Sequence, residues 1–155
     1  MSFMNSINIV GSGLTAQQLR LDVVAENVTN SQTTRVENGE GAYRRKMVVF
    51  EAVSGRDSFR AALARAANGL IPNTGASPTA GGVRVTQIVE DESPMKIVYD
   101  PTHPDADEDG YLELPNVDMV KEMADAMAAT RAYSSNVTAF NTLKAVIASG
   151  LEIGR

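Results

Sequence analysis

The stretch 7-INIVGSGLTAQQLRLDVVAENV-28 decides the fold. Ile7, Leu14, Leu21 and Val28 recur every seven residues, and Val10 and Val24 fall three positions after members of that series, with Gln17 between them. This is the a/d seam of a helix that packs along another helix. A helix is therefore expected over residues 5–30, about 39 Å long at 1.5 Å per residue. Gly11 and Gly13 each cost about 1 kcal/mol relative to Ala. Such a helix draws its stability from packing one face, not from propensity. An ordinary amphipathic core helix would present the same face.

A second seam lies near the other end of the chain. Met119, Ala126, Tyr133, Phe140 and Ile147 repeat at seven residues, flanked by Met123, Thr130, Val137 and Leu151, with Lys144 as the interruption. From Val117 the chain has neither Pro nor Gly until Gly150, which predicts a helix near 50 Å long. Asn116, after Pro115, is the expected N-cap, and Asp118 and Glu122 suit the positive end of the helix dipole. Met127 lies in the Ala- and Met-rich run 124–132, a surface that lets helices approach closely and repack. So long a helix exceeds what a small β unit can cover. The candidate subunit-interface residues are accordingly Ile7, Leu14, Leu21, Val24 and Val28 on the first seam. On the second they are Met119, Met123, Met127, Tyr133, Val137, Phe140 and Ile147.

Between the seams the character changes. Asn27, Asn30 and residues 31–34 favour turn over helix. Residues 37–41 contain Asn-Gly and read as a loop. The basic run Tyr43-Arg44-Arg45-Lys46 leads into an apolar strand, Met47 to Phe50. Residues 57–67 predict a short helix with Phe59, Leu63 and Ala66 on one side, and residues 68–82 a Gly/Pro-rich loop. Val83, Val85 and Val89 alternate with polar residues as in a half-buried strand. A turn at 91–94 and an apolar run at 95–99 suggest that this strand forms a hairpin with the next. Residues 100–115 read as an extended polar segment. The expected organisation is α+β: residues 1–34 as an assembly helix with its Asn-rich end, 35–115 as a β-rich middle with a mobile loop at 54–82, and 116–155 as a second assembly helix. The two long helices form a coiled-coil-like pair.

The bulk composition excludes several functions. With 155 residues the chain is one domain, or one small domain with extended elements. Its net charge of −5 opposes nucleic-acid binding and a polybasic membrane surface. There is no cysteine, hence no disulfide or thiolate chemistry. No apolar run approaches the roughly 20 residues of a membrane span, and the N-terminus lacks the pattern of a cleavable signal. Asp105-x-Asp107-x-Asp109-Gly110 matches the first half of a calcium loop, but Asn116 stands where the closing carboxylate belongs and prolines replace the preceding helix. His103, the sole histidine, has no second His or Cys with which to hold zinc. No set of residues forms a catalytic constellation, so neither an enzyme, a small-molecule substrate, a cofactor nor a metal is expected. The basic run and the acidic loop suggest charge pairing between subunits.

Several separate motifs, in order, carry a family resemblance. Ser12-Gly13-Leu14 through Ala25-Glu26-Asn27-Val28-Thr29-Asn30 resembles the N-terminal signature of the flagellar rod, hook and hook-associated axial proteins. Thr33-Thr34-Arg35, Gly41 to Lys46, Gly82 to Val85, Tyr99 to Asp107 and Gly110-Tyr111 are similar to its proximal-rod members. Arg131-Ala132-Tyr133 with Asn136-Val137 matches the family's closing helix. The motif residues so identified are Asn27, Asn30, Thr34, Arg35, Tyr43, Arg44, Arg45, Arg131, Ala132, Tyr133 and Asn136. The resemblance implies a structural subunit of the proximal rod of the flagellar basal body, polymerising helically through its terminal helices into the drive shaft and export channel. It implies export by the flagellar type III apparatus without signal cleavage, a periplasmic location, and partners among other rod proteins and the export-gate junction. A coiled-coil adaptor that binds one partner and never polymerises shares the helices and differs in stoichiometry.

Overall fold

A computed structural model describes residues 3–36, 41–53 and 81–153. Its elements are α1 (Phe3–Thr29), β1 (Lys46–Ala52), β2 (Val83–Glu90), β3 (Lys96–Tyr99), β4 (Tyr111–Leu114) and α2 (Met119–Ile153). The fold is α+β, with the two long helices at the ends of the chain and the short strands between them. The expected 57–67 helix and almost all of the 68–82 loop lie outside the described residues. Among the described residues no helix is long and apolar enough to cross a membrane.

Local chemistry sets the helix ends. At the end of α1 the Asn30 side-chain amide donates to Glu26 O at 3.0 Å, and Thr33 Oγ1 donates to Asn30 Oδ1 at 3.1 Å. These bonds divert a polar stretch from continuing the helix. At the start of α2 the cap is Asp118, not Asn116. Val120 N donates to Asp118 Oδ1 at 3.0 Å, and Glu122 N donates to Asp118 O at 2.9 Å. Asn116 is occupied elsewhere: it accepts from Arg45 N and donates to the carbonyls of Asp91 and Ser93. The second helix also runs through Gly150, which is exposed with open space around it. One exposed glycine costs only about 1 kcal/mol against Ala.

The strands pair differently from the expected hairpin. β2 pairs with β1, and β3 with β4. Val53 N donates to Gly82 O at 2.9 Å and Asp91 N to Arg45 O at 2.7 Å, bonds of an antiparallel pair. β3 and β4 are antiparallel, with Lys96 opposite Leu114 and Tyr99 opposite Tyr111. β4 falls within the segment read as extended and polar. The alternation of residues 83–89 marks a strand but does not name its partner. The turn decides. Ser93 N and Oγ both bond Asp91 Oδ1, and Asn116 holds the Asp91 and Ser93 carbonyls. The chain is turned out of β2 into a second sheet instead of folding back along it.

Two compact units make up the chain, each drawing on all three sequence segments. One comprises residues 1–17, 50–86 and 132–155, the other residues 18–49 and 87–131. Ala16 is the buried apolar residue described in the first unit. In the second, Val23, Val24, Ala42, Tyr43, Leu112, Val117 and Ala129 form the core. Within that second unit the helices run antiparallel, because Asn27 of α1 meets Glu122 of α2 while Arg20 meets Asp125.

Candidate functional site

The second unit contains a buried polar node. Asn27, on the last turn of α1, is 1% exposed, and Glu122, on the first turn of α2, is 0% exposed. Such burial requires that every polar atom find a partner. The Asn27 amide nitrogen donates to Lys46 O at 2.9 Å and to Glu122 Oε2 at 3.0 Å. Its oxygen accepts from Tyr43 OH and from Lys46 N, both at 2.9 Å. The amide has two donors and two lone pairs, and all four are used. One side chain thereby ties α1 to the start of β1 and to α2.

Arg45 balances the buried carboxylate. Its Nε donates to Glu122 Oε1 at 2.6 Å, and its terminal nitrogens lie 3.3 Å from Asp125 and 3.5 Å from Asp91. Asp125 also receives Arg20 of α1 at 2.9 Å. Burial works against the Arg45 charge, but the Glu122 hydrogen bond and the surrounding carboxylates outweigh it and hold its pKa above the ordinary value. Burial, reinforced by Glu26, Glu122 and Glu90, pushes the Tyr43 hydroxyl up to about 12. Tyr43 therefore stays a neutral donor to Asn27. Hydrogen bonds from Ser93, helped by Arg45, hold Asp91 below the usual carboxylate range. The node is a fixed ion-pair and hydrogen-bond network that sets the register of α1 against α2.

In the same unit, Asp105 is held by the chain just after α1. Thr34 Oγ1 donates to it at 2.8 Å and Arg35 at 2.6 Å. The first unit has its own close contact. A Cβ on Gly13 would stand 2.9 Å from the Asn136 amide nitrogen, so the Asn136 side chain occupies space that a side chain at residue 13 would contest. Gly82 adopts φ +123° beside Ser12, whose hydroxyl accepts from Val83 N at 3.1 Å.

A family model described as flagella basal body rod protein matches residues 7–35, the first seam and its Asn-rich end. A second, described as flagellar basal body rod FlgEFG protein C-terminal, matches residues 108–153. The flagellar basal-body rod protein FlgC of Bacillus subtilis is 45% identical over the full length of both chains. That of Borreliella burgdorferi is 40% identical over 99% of this chain and 98% of the relative. That of Escherichia coli O157:H7 is 36% identical over the full length of both. The chain belongs to the FlgC family of flagellar basal-body rod proteins. As a FlgC-family member it is a structural subunit of the basal-body rod, and the non-polymerising adaptor is not favoured.

The motif residues of this FlgC-family chain serve several places. Asn27, Tyr43 and Arg45 meet in the node; Asn30 ends α1; Thr34 and Arg35 hold Asp105; Asn136 lies against Gly13. Arg44 and Arg131 are exposed, and Ala132 and Tyr133 are half-buried. On the seams, Val24 is buried within its own unit, while Ile7, Leu14, Leu21, Val28, Tyr133, Val137 and Ile147 are half-buried. Met119, Met123, Met127 and Phe140 are exposed. Part of the basic run and of the acidic loop, expected to pair across subunits, is engaged within the chain. Arg45 and Lys46 pair with Glu122, Asp125, Asp91 and Glu26 of their own chain, and Asp105 pairs with Arg35. Sequence reading missed the central roles of Glu122, Asp125 and Asn116. Glu122 lies seven residues before the fully buried Ala129, on the inward line of α2, which only the fold reveals.

Proposed function

We propose that this rod subunit polymerises through its terminal helices, and that the exposed line Met119, Met123 and Met127 on α2 is one of the surfaces that neighbouring subunits cover. The observation that carries the reading is the outward placement of that line: Met123 and Met127 are each 57% exposed, and Val120 beside them is 76% exposed. The inward side of the helix is closed by Glu122 and Ala129, each at 0%. Exposed apolar surface of this kind marks interaction sites, and Met suits packing against several slightly different neighbours. The contacts are heterologous, because only head-to-tail interfaces extend into a helical array. The half-buried seam residues Ile7, Leu14, Leu21, Val28, Tyr133, Val137 and Ile147, with exposed Phe140, complete the helix surfaces available to neighbours. In this reading the chain lies in the proximal rod, beside other rod proteins and the export-gate junction. It reaches the periplasm through the flagellar type III apparatus without a cleaved signal, and its polymer surrounds the export channel.

Deleting the gene tests this reading. Lost motility with basal bodies truncated at the rod, both restored by the wild-type gene, is the expected result. Normal swimming with intact basal bodies would overturn it.

A further inference from the structure

The β3–β4 hairpin has two unlike faces. Its register puts Lys96, Val98, Leu112 and Leu114 on one side and Ile97, Tyr99, Tyr111 and Glu113 on the other. Leu112 is buried, so the first side turns toward the core of its unit. The second turns out: Ile97 is 67% exposed, Tyr99 64% and Tyr111 49%.

This outward face is preformed. The Tyr99 and Tyr111 rings meet edge to face with centroids 5.4 Å apart. Tyr99 also lies against Gly110, where a Cβ would stand 3.0 Å from its ring carbon Cε2. Gly110, at φ +78°, closes a turn. Its N–H donates to Asp107 O at 2.8 Å, while Asp107 N donates to Tyr111 O at 2.9 Å and Asp100 N to Gly110 O at 3.0 Å. Residues 107–109 are thereby fixed beside the tyrosines. Aromatic surface that is exposed yet already ordered suits binding, because little freedom is left to lose on contact.

The rim of the face is acidic. Asp107, Glu108, Asp109 and Glu113 are exposed, and among the described residues none of the four has a salt bridge. Asp105, in the same connection, is taken up by Arg35. The described residues of this unit carry eight Lys/Arg against fourteen Asp/Glu, net −6. Those of the other unit, Glu51, Arg84, Lys144 and Glu152, sum to zero, and Arg84 is already paired with Glu51. Among described residues, then, neither unit of a second copy brings a net positive charge to this face. Nucleic acid and an anionic membrane would be repelled by it.

We propose that this hairpin face docks a Lys- or Arg-bearing surface of a different protein of the rod. A cation seated there meets unpaired carboxylates and tyrosine rings together, so charge complementarity and cation–π attraction act at one place. The proposal rests on the rod reading and deepens it by giving the subunit a contact with an unlike neighbour, on a different element from the Met line of α2.

The test is photo-cross-linking within basal bodies. The replacement Ile97→p-benzoylphenylalanine puts the probe in the middle of the face, and mass spectrometry of purified, irradiated basal bodies reads the segment it captures. A segment of another rod protein with Lys or Arg at or beside the captured residue is expected. Adding Glu108→Lys/Asp109→Lys/Glu113→Lys, in a chain that keeps a native melting temperature, should lower the cross-linked product at least about tenfold. Capture of this chain's own segments, capture of a segment without Lys or Arg, or no capture in basal bodies that contain the chain would overturn the proposal. A yield unchanged by the charge reversal would do the same. The captured segment is identified with all four carboxylates intact, so a poorly folding reversal does not remove the test. Basal bodies that lack the wild-type chain would overturn the rod reading itself.

Discussion

Replacing Glu122 by Leu tests whether the polar node holds the helices in register. The substitution removes the partner of Arg45 Nε, at 2.6 Å, and of one Asn27 amide hydrogen, at 3.0 Å, in a place with no solvent access. Breaking one side of a buried ion pair costs about 3–5 kcal/mol. Asp125 and Asp91 remain 3.3 Å and 3.5 Å from Arg45, which places the expected cost at the lower end, about 3 kcal/mol. For a chain of this size that is a fall in Tm of roughly 10 °C. Urea and thermal unfolding followed by circular dichroism measure it. Adding Arg45→Met should recover part of the loss, because the buried cation goes with its partner and the two half-exposed aspartates can turn to water. A double-mutant cycle should therefore show a coupling of at least about 1.5 kcal/mol. A single-mutant cost below about 1 kcal/mol, or additivity within about 0.5 kcal/mol, would refute the claim that Glu122 and Arg45 act as one unit.

Further expected outcomes concern the same two units. Tyr43 has a folded pKa of about 12 against an ordinary 10.0, so its contribution is fully present below pH 10 and is lost as pH rises toward 12. Urea midpoints of wild type should fall across that window more than those of Tyr43→Phe; parallel curves would show that Tyr43 is not the responsible group. Gly13→Ala should gain about 0.5 kcal/mol less than its helix propensity alone would give, because its Cβ meets the Asn136 side chain at 2.9 Å and that amide must shift. Gly11→Ala, with open space around it, should show the full gain of roughly 0.5–1 kcal/mol. Thermal melts of the two variants decide, and equal shifts would contradict the close-approach argument. Asp105→Ala should cost about 1 kcal/mol by freeing Thr34 and Arg35; an unchanged urea midpoint would remove that contact from the account.

The long helices were legible in the sequence because their heptads run for many turns, and periodicity is the strongest local signal. The strand at 47–50 was legible as an apolar run and the strand at 83–89 by its alternation. Their partners were not, since an alternating run fits any edge. The four residues of β4, Tyr-Leu-Glu-Leu, are too few to stand out beside an acidic loop. Asn27, Tyr43 and Arg45 were singled out through the family resemblance, whereas their convergence on Glu122 was not. A single carboxylate at a helix start reads as a dipole partner, and only the fold shows that it is buried beneath an arginine 77 positions away. The seams were read as continuous interfaces. In the structure Val24 turns inward and the methionines turn outward, because the apolar part of α2 is wider than the stripe one partner helix can cover.

The central claim is that the outward face of α2 builds the rod, and the variant Met123→Asp/Met127→Asp addresses it most directly. Both side chains are 57% exposed, so the purified subunit should melt within a few degrees of wild type, as surface substitutions usually do. Introduced into a strain lacking the native gene, the variant should leave cells non-motile, with basal bodies truncated at the rod. Full motility with complete rods, from a variant shown to be present at wild-type levels, would contradict the account.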